Sequence, residues 1–86
     1  QIVTVEDSTS CIHGSRGIAT PASPDLLSEP RIVAELAKAT LLGKPAIPWD
    51  DWVDDYGRVR DAIERTYPDI FADFNERMMQ PGGFHK

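Results

Sequence analysis

The run "CIHGSRG", residues 11 to 17, sets a thiol, an imidazole, a hydroxyl and a guanidinium within six positions, with glycines at 14 and 17. Cys11 and His13 form a C-x-H pair of the kind that ligates metal or couples a thiolate to a base. A zinc site needs three or four ligands, however, and the only other histidine is His85, close to the C-terminal end. Nucleophilic catalysis needs a base oriented by a third group and donors for an oxyanion, and a domain this small can hardly build such walls. The "HGSRG" half suits another role. Gly14 and Gly17 permit positive φ and close backbone approach, while Ser15 and Arg16 offer hydrogen bonds to an anion. No Walker lysine follows, and no strand, glycine turn and helix unit of the dinucleotide-binding kind is present. The plain alternative is a turn with a solvated arginine.

A second cluster is "DDWVDD". Asp50, Asp51 and Asp54 match the aspartate-rich pattern by which prenyl-diphosphate enzymes hold magnesium, and Asp50 and Asp54 share one helical face. Those enzymes need a long helical bundle around an apolar cavity, which 86 residues do not supply. The simpler expectation is an acidic helix start favoured by the helix dipole, with Trp49 and Trp52 packed inward. Truncating Trp52 should then cost stability without touching metal affinity.

The elements that position these residues follow from pattern. "IVTVE", residues 2 to 6, predicts one strand. Residues 7 to 27 read as loop, ending in a stretch with three prolines between 17 and 30. Ser28 is a good N-cap for a helix over about 29–42, whose apolar positions are Ile32, Val33, Leu36, Ala37 and Thr40 and which Gly43 and Pro45 should stop. Further helices are expected over 49–55, 56–66 and 70–79. Asp55 caps the second of these, Tyr67-Pro68 stops it, and Ile70, Phe71, Phe74 and Met78 form the apolar face of the third. Asp61/Arg65 and Asp73/Arg77 are opposite-charge pairs at i,i+4. "QPGGF" closes the domain. The expected fold is mainly α, with one N-terminal strand, a long loop and three to four helices.

Bulk properties narrow the partners. Fourteen acidic residues against nine basic ones give a net charge of −5, which disfavours nucleic acid and anionic membranes. No apolar run approaches the roughly 20 residues that span a bilayer. A single cysteine excludes an internal disulfide and fits a reducing, cytoplasmic compartment. A chain that opens on Gln1 and runs straight into a lone strand reads as an excised piece. That strand should pair with a missing part of the parent, or with a second copy in a homodimer.

The residues also resemble a known family. "TVEDS", "HGSRG", "PAS", "SEPRIVAELA" and "DYGRVRDAIE", in this order and spacing, are similar to an internal segment of the molybdopterin-dependent oxidoreductases, specifically the formate-dehydrogenase-like alpha subunits. The likeness covers essentially the whole chain. It implies a parent α/β enzyme many times longer, of which this chain is one subdomain, holding molybdenum on two molybdopterin guanine dinucleotides, often with an iron–sulfur cluster, and performing a two-electron oxidation or reduction of a small substrate. The family's metal ligand, catalytic histidine and arginine, and cluster cysteines lie outside this segment, so none maps onto Cys11, His13 or Arg16. The matching loop carries a glycine–arginine pair, here Ser15-Arg16-Gly17, which makes His13, Ser15 and Arg16 the candidate cofactor-lining residues of the parent. No residue is expected to be catalytic or to bind metal here. The expected role is a structural subdomain, inactive alone, whose partner is the remainder of the parent subunit. The rival reading is a freestanding interaction domain that docks through its acidic, Trp-bearing helix.

Overall fold

The computed structural model describes residues 1–41 and 47–86. In chain order it contains β1 (Ile2–Glu6), β2 (Cys11–Arg16), α1 (Glu29–Thr40), α2 (Trp49–Asp54), α3 (Tyr56–Thr66), α4 (Pro68–Phe71), α5 (Phe74–Arg77) and β3 (Phe84–His85). The strands form one antiparallel sheet in the order β1-β2-β3. The fold is therefore mixed, a small sheet beside a set of helices, and not the mainly helical chain with one strand that the sequence suggested.

The first correction lies in the loop expected over 7–27. Residues 11 to 16 are a strand, paired with β1 from Ile2↔Arg16 to Glu6↔Ile12. The connection holds because Asp7 organises it. Its Oδ1 accepts from the Thr9 backbone N–H at 2.9 Å, the Thr9 hydroxyl at 2.7 Å and the Cys11 N–H at 3.1 Å. Ser10 closes the turn in the left-handed region at φ 63°. An aspartate in this place supplies the hydrogen bonds that a turn would otherwise draw from backbone. β1 is thus not a lone strand.

The helical half begins as expected. The Ser28 hydroxyl accepts from the Arg31 N–H at 3.2 Å, with Pro30 in the first turn. α1 ends at Thr40, before the expected residue 42, where the Leu41 N–H still reaches the Ala37 carbonyl at 2.8 Å. Leu42, Gly43 and Pro45, the expected stop, lie outside the described residues. Asp55 ends α2 and caps α3 through Oδ1 to the Gly57 N–H at 2.9 Å, and Tyr67-Pro68 ends α3.

The last expected helix, 70–79, is instead two single turns. Ala72 is extended and Asp73 is left-handed at φ 56°. Side chains from elsewhere satisfy what the break frees. Glu64 of α3 accepts the Phe74 N–H at 3.0 Å, and Arg77 Nη1 donates to the carbonyls of Ile70 and Ala72 at 3.3 and 3.0 Å. A continuous helix would have used those groups internally. The expected Asp73/Arg77 and Asp61/Arg65 pairs do not form among the described residues. Arg77 instead lies over the Phe84 ring at 4.3 Å, and Asp61 accepts from Asn75 at 2.9 Å.

"QPGGF" likewise does more than end the chain. Gly82 and Gly83 both take positive φ, turning the chain so that Phe84 and His85 pair with Ile12 and Cys11. The core forms there. Ile12, Phe74, Met78 and Phe84 are buried together, flanked by Ile2, Ile63 and Phe71. Phe71 and Phe74 stack at 5.0 Å, and both meet Phe84 edge-on.

Candidate functional site

β2 carries the residues that sequence reasoning marked. Strand alternation sends His13 and Ser15 to one face, across from Val5 and Val3, and Arg16 to the other, across from Ile2. The three cofactor candidates are therefore neighbours in sequence that do not converge in space. His13 Nε2 lies 3.0 Å from Asp7 Oδ2, and Arg16 is exposed with no acidic partner among the described residues. Gly14 is on β2 for packing rather than for positive φ. A Cβ there would sit 2.9 Å from Met79 Sδ and 3.1 Å from Ile2 Cγ2, and its N–H donates to the Met78 carbonyl at 3.0 Å. Its small size lets the sheet meet the end of α5.

The Cys11 Sγ lies 3.6 Å from the Thr9 hydroxyl oxygen, whose proton goes to Asp7. The Thr9 hydroxyl, then the Thr9 and Cys11 backbone N–H groups, hold the Asp7 carboxyl far below the usual carboxylate range; partial desolvation opposes them and His13 adds to them. These groups brace a hairpin turn. No cluster of three or more His, Cys, Asp or Glu able to hold a metal ion occurs among the described residues.

Two of the four aspartates of "DDWVDD", Asp50 and Asp54, are committed to α1. Arg31 reaches Asp50 at 3.1 Å and Asp54 at 2.6 Å, and Lys38 reaches Asp50 at 2.9 Å. Arg31 also lies 3.5 Å from Glu35. Asp50 is held below its ordinary pKa by the Lys38 hydrogen bond first, against desolvation, with Arg31 helping. At Asp50 and Asp54 the acidic helix start is thus an ionic clamp that docks α2 on α1. Arg31 and Lys38 stand seven residues apart, two turns along one face, so the charge pattern held this signal before the structure did.

Above that clamp the molecule opens into an apolar groove of about 610 Å³ between β1, the start of α1, α2 and α3. Val3, Val33, Trp49, Trp52, Val53 and Val59 line it, and Glu29 stands among its walls. The two tryptophans, expected to pack inward, meet edge-on at 6.2 Å and are only half-buried. One cation belongs to the groove. Arg60 is 8% exposed, donating from Nε to Asn75 Oδ1 and from Nη1 to the Ile2 carbonyl at 3.2 Å and Thr4 Oγ1 at 3.1 Å. Burial pushes its guanidinium below its ordinary pKa, while Asp55 and Asp61 push it up. Sequence reasoning passed over Arg60, although Tyr56, Val59 and Ile63 bracket it on the apolar stripe of α3.

The apolar positions expected to bury α1 are mostly uncovered. Ala34 is fully buried, whereas Val33 is 56% and Leu36 63% exposed, and Ile32, Leu26 and Leu27 are exposed too.

No family model and no solved structure matches the chain. It is 49% identical over 85 residues to Protein YdeP of Escherichia coli, an alignment spanning 99% of this chain and 11% of that protein, and equally similar to the protein of the same name in Shigella flexneri. It is 40% identical over 84 residues to Uncharacterized oxidoreductase Rv2900c of Mycobacterium tuberculosis, covering 98% of this chain and 11% of that protein. The chain thus spans about a tenth of the length of the curated relatives it matches.

Proposed function

We propose that this chain is a structural segment of a larger oxidoreductase, and that its work is to dock apolar faces on the rest of that protein. The observation that carries this reading is surplus surface. A compact protein of 9.6 kDa is expected to expose about 5,100 Å², and this one exposes 6481 Å². Its radius of gyration is 14.6 Å, where a compact domain of this length would have about 12 Å. The excess, roughly 1,400 Å², is of the size that one domain buries against another. Much of it is apolar, carried by Ile18, Leu26, Leu27, Val33 and Leu36. The name of the Mycobacterium tuberculosis relative supports the oxidoreductase part of the reading.

The finer proposal is a molybdopterin-dependent, formate-dehydrogenase-like parent, supported by the likeness of "TVEDS", "HGSRG" and "SEPRIVAELA" to that family. The residues present do not by themselves fit the cofactor. His13 and Ser15 face away from Arg16, and His13 is engaged with Asp7. On this reading the segment contributes shape and docking to such an enzyme.

The test is made on the complete protein. Purified from molybdenum-supplied cells, it should contain stoichiometric molybdenum, release molybdopterin guanine dinucleotide on denaturation and reduce an artificial dye with formate. A folded complete protein free of molybdenum would remove the molybdopterin reading. Molybdenum without formate turnover would remove the substrate and keep the class.

A further inference from the structure

Buried charges are normally met by an opposite charge, because an unpaired ion out of water is costly. Arg60, 8% exposed, has no such partner among the described residues, and its Nη2 is left to the water of the open groove. No carboxylate lies within ion-pair distance of it among the described residues, and residues 42–46, which lie outside them, include no acid. The two acids whose charges act on it, Asp61 and Asp55, are committed elsewhere, as is Glu64, which accepts from the Phe74 N–H. Asp61 accepts from Asn75 Nδ2 at 2.9 Å, and Asp55 caps the Gly57 N–H while lying 3.8 Å from Arg58. Glu29, on the α1 side of the groove, makes no ion pair with Arg60. Nε and Nη1 carry the three hydrogen bonds given above. Nη2, on a residue that lines the groove, donates to nothing among the described residues.

We infer that the groove over Arg60 seats an apolar segment from the remainder of the parent polypeptide, and that this segment brings one carboxylate to Arg60. The inference rests on the segment reading above and specifies its docking chemistry. Charge complementarity argues for the acid. Extent argues for a polypeptide over a small ligand: Val33 lines the groove while Ile32 and Leu36, beside it on α1, continue the exposed apolar surface beyond the rim. A small molecule filling 610 Å³ would leave that surface in water. Some nine tenths of each relative lies outside the aligned region, so covering chain of ample length exists in them.

The experiment places p-benzoylphenylalanine at Val33 in the complete protein, irradiates it and identifies the linked peptide by mass spectrometry. The expected peptide comes from the same polypeptide outside residues 1–86 and carries Asp or Glu among apolar residues. Changing that acid to its amide leaves residues 1–86 intact and should lower the cross-link yield about tenfold, the worth of a charge-assisted hydrogen bond. An amide variant with undiminished yield, or a linked segment without an acid, overturns the role of Arg60. Links only within residues 1–86, or only between two copies, overturn the occupant. A complete protein no longer than this chain would defeat the segment reading itself, before any cross-link is made.

Discussion

Arg60 Nη1 donates to the Ile2 carbonyl at 3.2 Å across 58 positions of sequence, so one guanidinium ties α3 to the first strand. The same nitrogen reaches Thr4, and Nε reaches Asn75. Replacing Arg60 by Met should therefore destabilise the protein by about 1–3 kcal/mol, because three acceptors lose a donor in a largely dry place. Arg60→Lys should fall between, since one ammonium cannot serve three acceptors held in a fork. Urea denaturation followed by far-UV circular dichroism reads the order; equal stability of the Met variant and the parent sequence would refute the tie.

Gly83 and Gly17 give a paired test of the C-terminal turn. At Gly83 φ is +62° and an added Cβ would sit 1.8 Å from the Ile12 carbonyl oxygen, inside van der Waals contact with backbone. Gly17 has nothing within 4 Å of that position. Gly83→Ala should cost more than 2 kcal/mol or so, through strain and loss of the β2–β3 pairing, whereas Gly17→Ala should lie within about 0.5 kcal/mol of neutral. Thermal melts of the two variants decide it.

What the sequence displayed was local, and what it concealed was tertiary. Ser28, Asp55 and Pro68 mark their helix boundaries by chemistry that acts within four residues, and each was legible. β2 was not. "CIHGSR" has few strand-forming residues, and it is a strand because Asp7 builds the turn that returns it to β1 and because Gly14 lets it lie against Met78 and Met79. The break at Asp73 depends on Glu64, ten positions away from Phe74, which no helical periodicity records. The candidate site divides the same way: His13, Ser15 and Arg16 were visible as residue types, but the pleat that separates them appears only once 11–16 is a strand. The "DDWVDD" aspartates were visible too, and their meaning changed when Arg31 and Lys38 were found against them.

Acid should loosen the hairpin turn. The Asp7 carboxyl is held well below its ordinary value by Thr9 and Cys11, so the stabilisation it gives is complete above the unfolded carboxylate pKa near 4 and fades as pH falls below it toward the depressed folded value. Asp7→Asn should remove that part of the pH dependence. The Tm of the parent sequence should drop more steeply between about pH 4 and pH 2 than that of the variant. Parallel curves would show that Asp7 does not supply the slope.

The clamp between α1 and α2 makes two connected statements about ions. Arg31 lies within 3.1 Å of Asp50 and 2.6 Å of Asp54 on partly exposed surface, so salt should weaken it. Raising sodium chloride should lower the Tm of the parent sequence more than that of Arg31→Ala. Magnesium at millimolar concentration should neither release heat nor raise the Tm, because the two aspartates that share a helical face already hold cationic side chains. In Arg31→Ala, Asp54 is freed while Lys38 still holds Asp50, so at most weak magnesium binding should appear. A tight calorimetric isotherm with the parent sequence would revive the aspartate-rich metal site.

Trp52 separates the isolated segment from the docked one. Its ring is half-buried on the groove wall, so Trp52→Ala in the 86-residue chain should cost about 1–2 kcal/mol, below the roughly 3–5 kcal/mol of a fully buried tryptophan. If a parent segment covers the groove, the same substitution in the complete protein should approach that larger figure, because the ring is then packed on both sides. Denaturation of the two pairs gives the comparison. A small and equal cost in both would mean that the groove stays open to water in the complete protein, and a cost near the full-burial figure already in the isolated chain would mean that its own residues close over the ring.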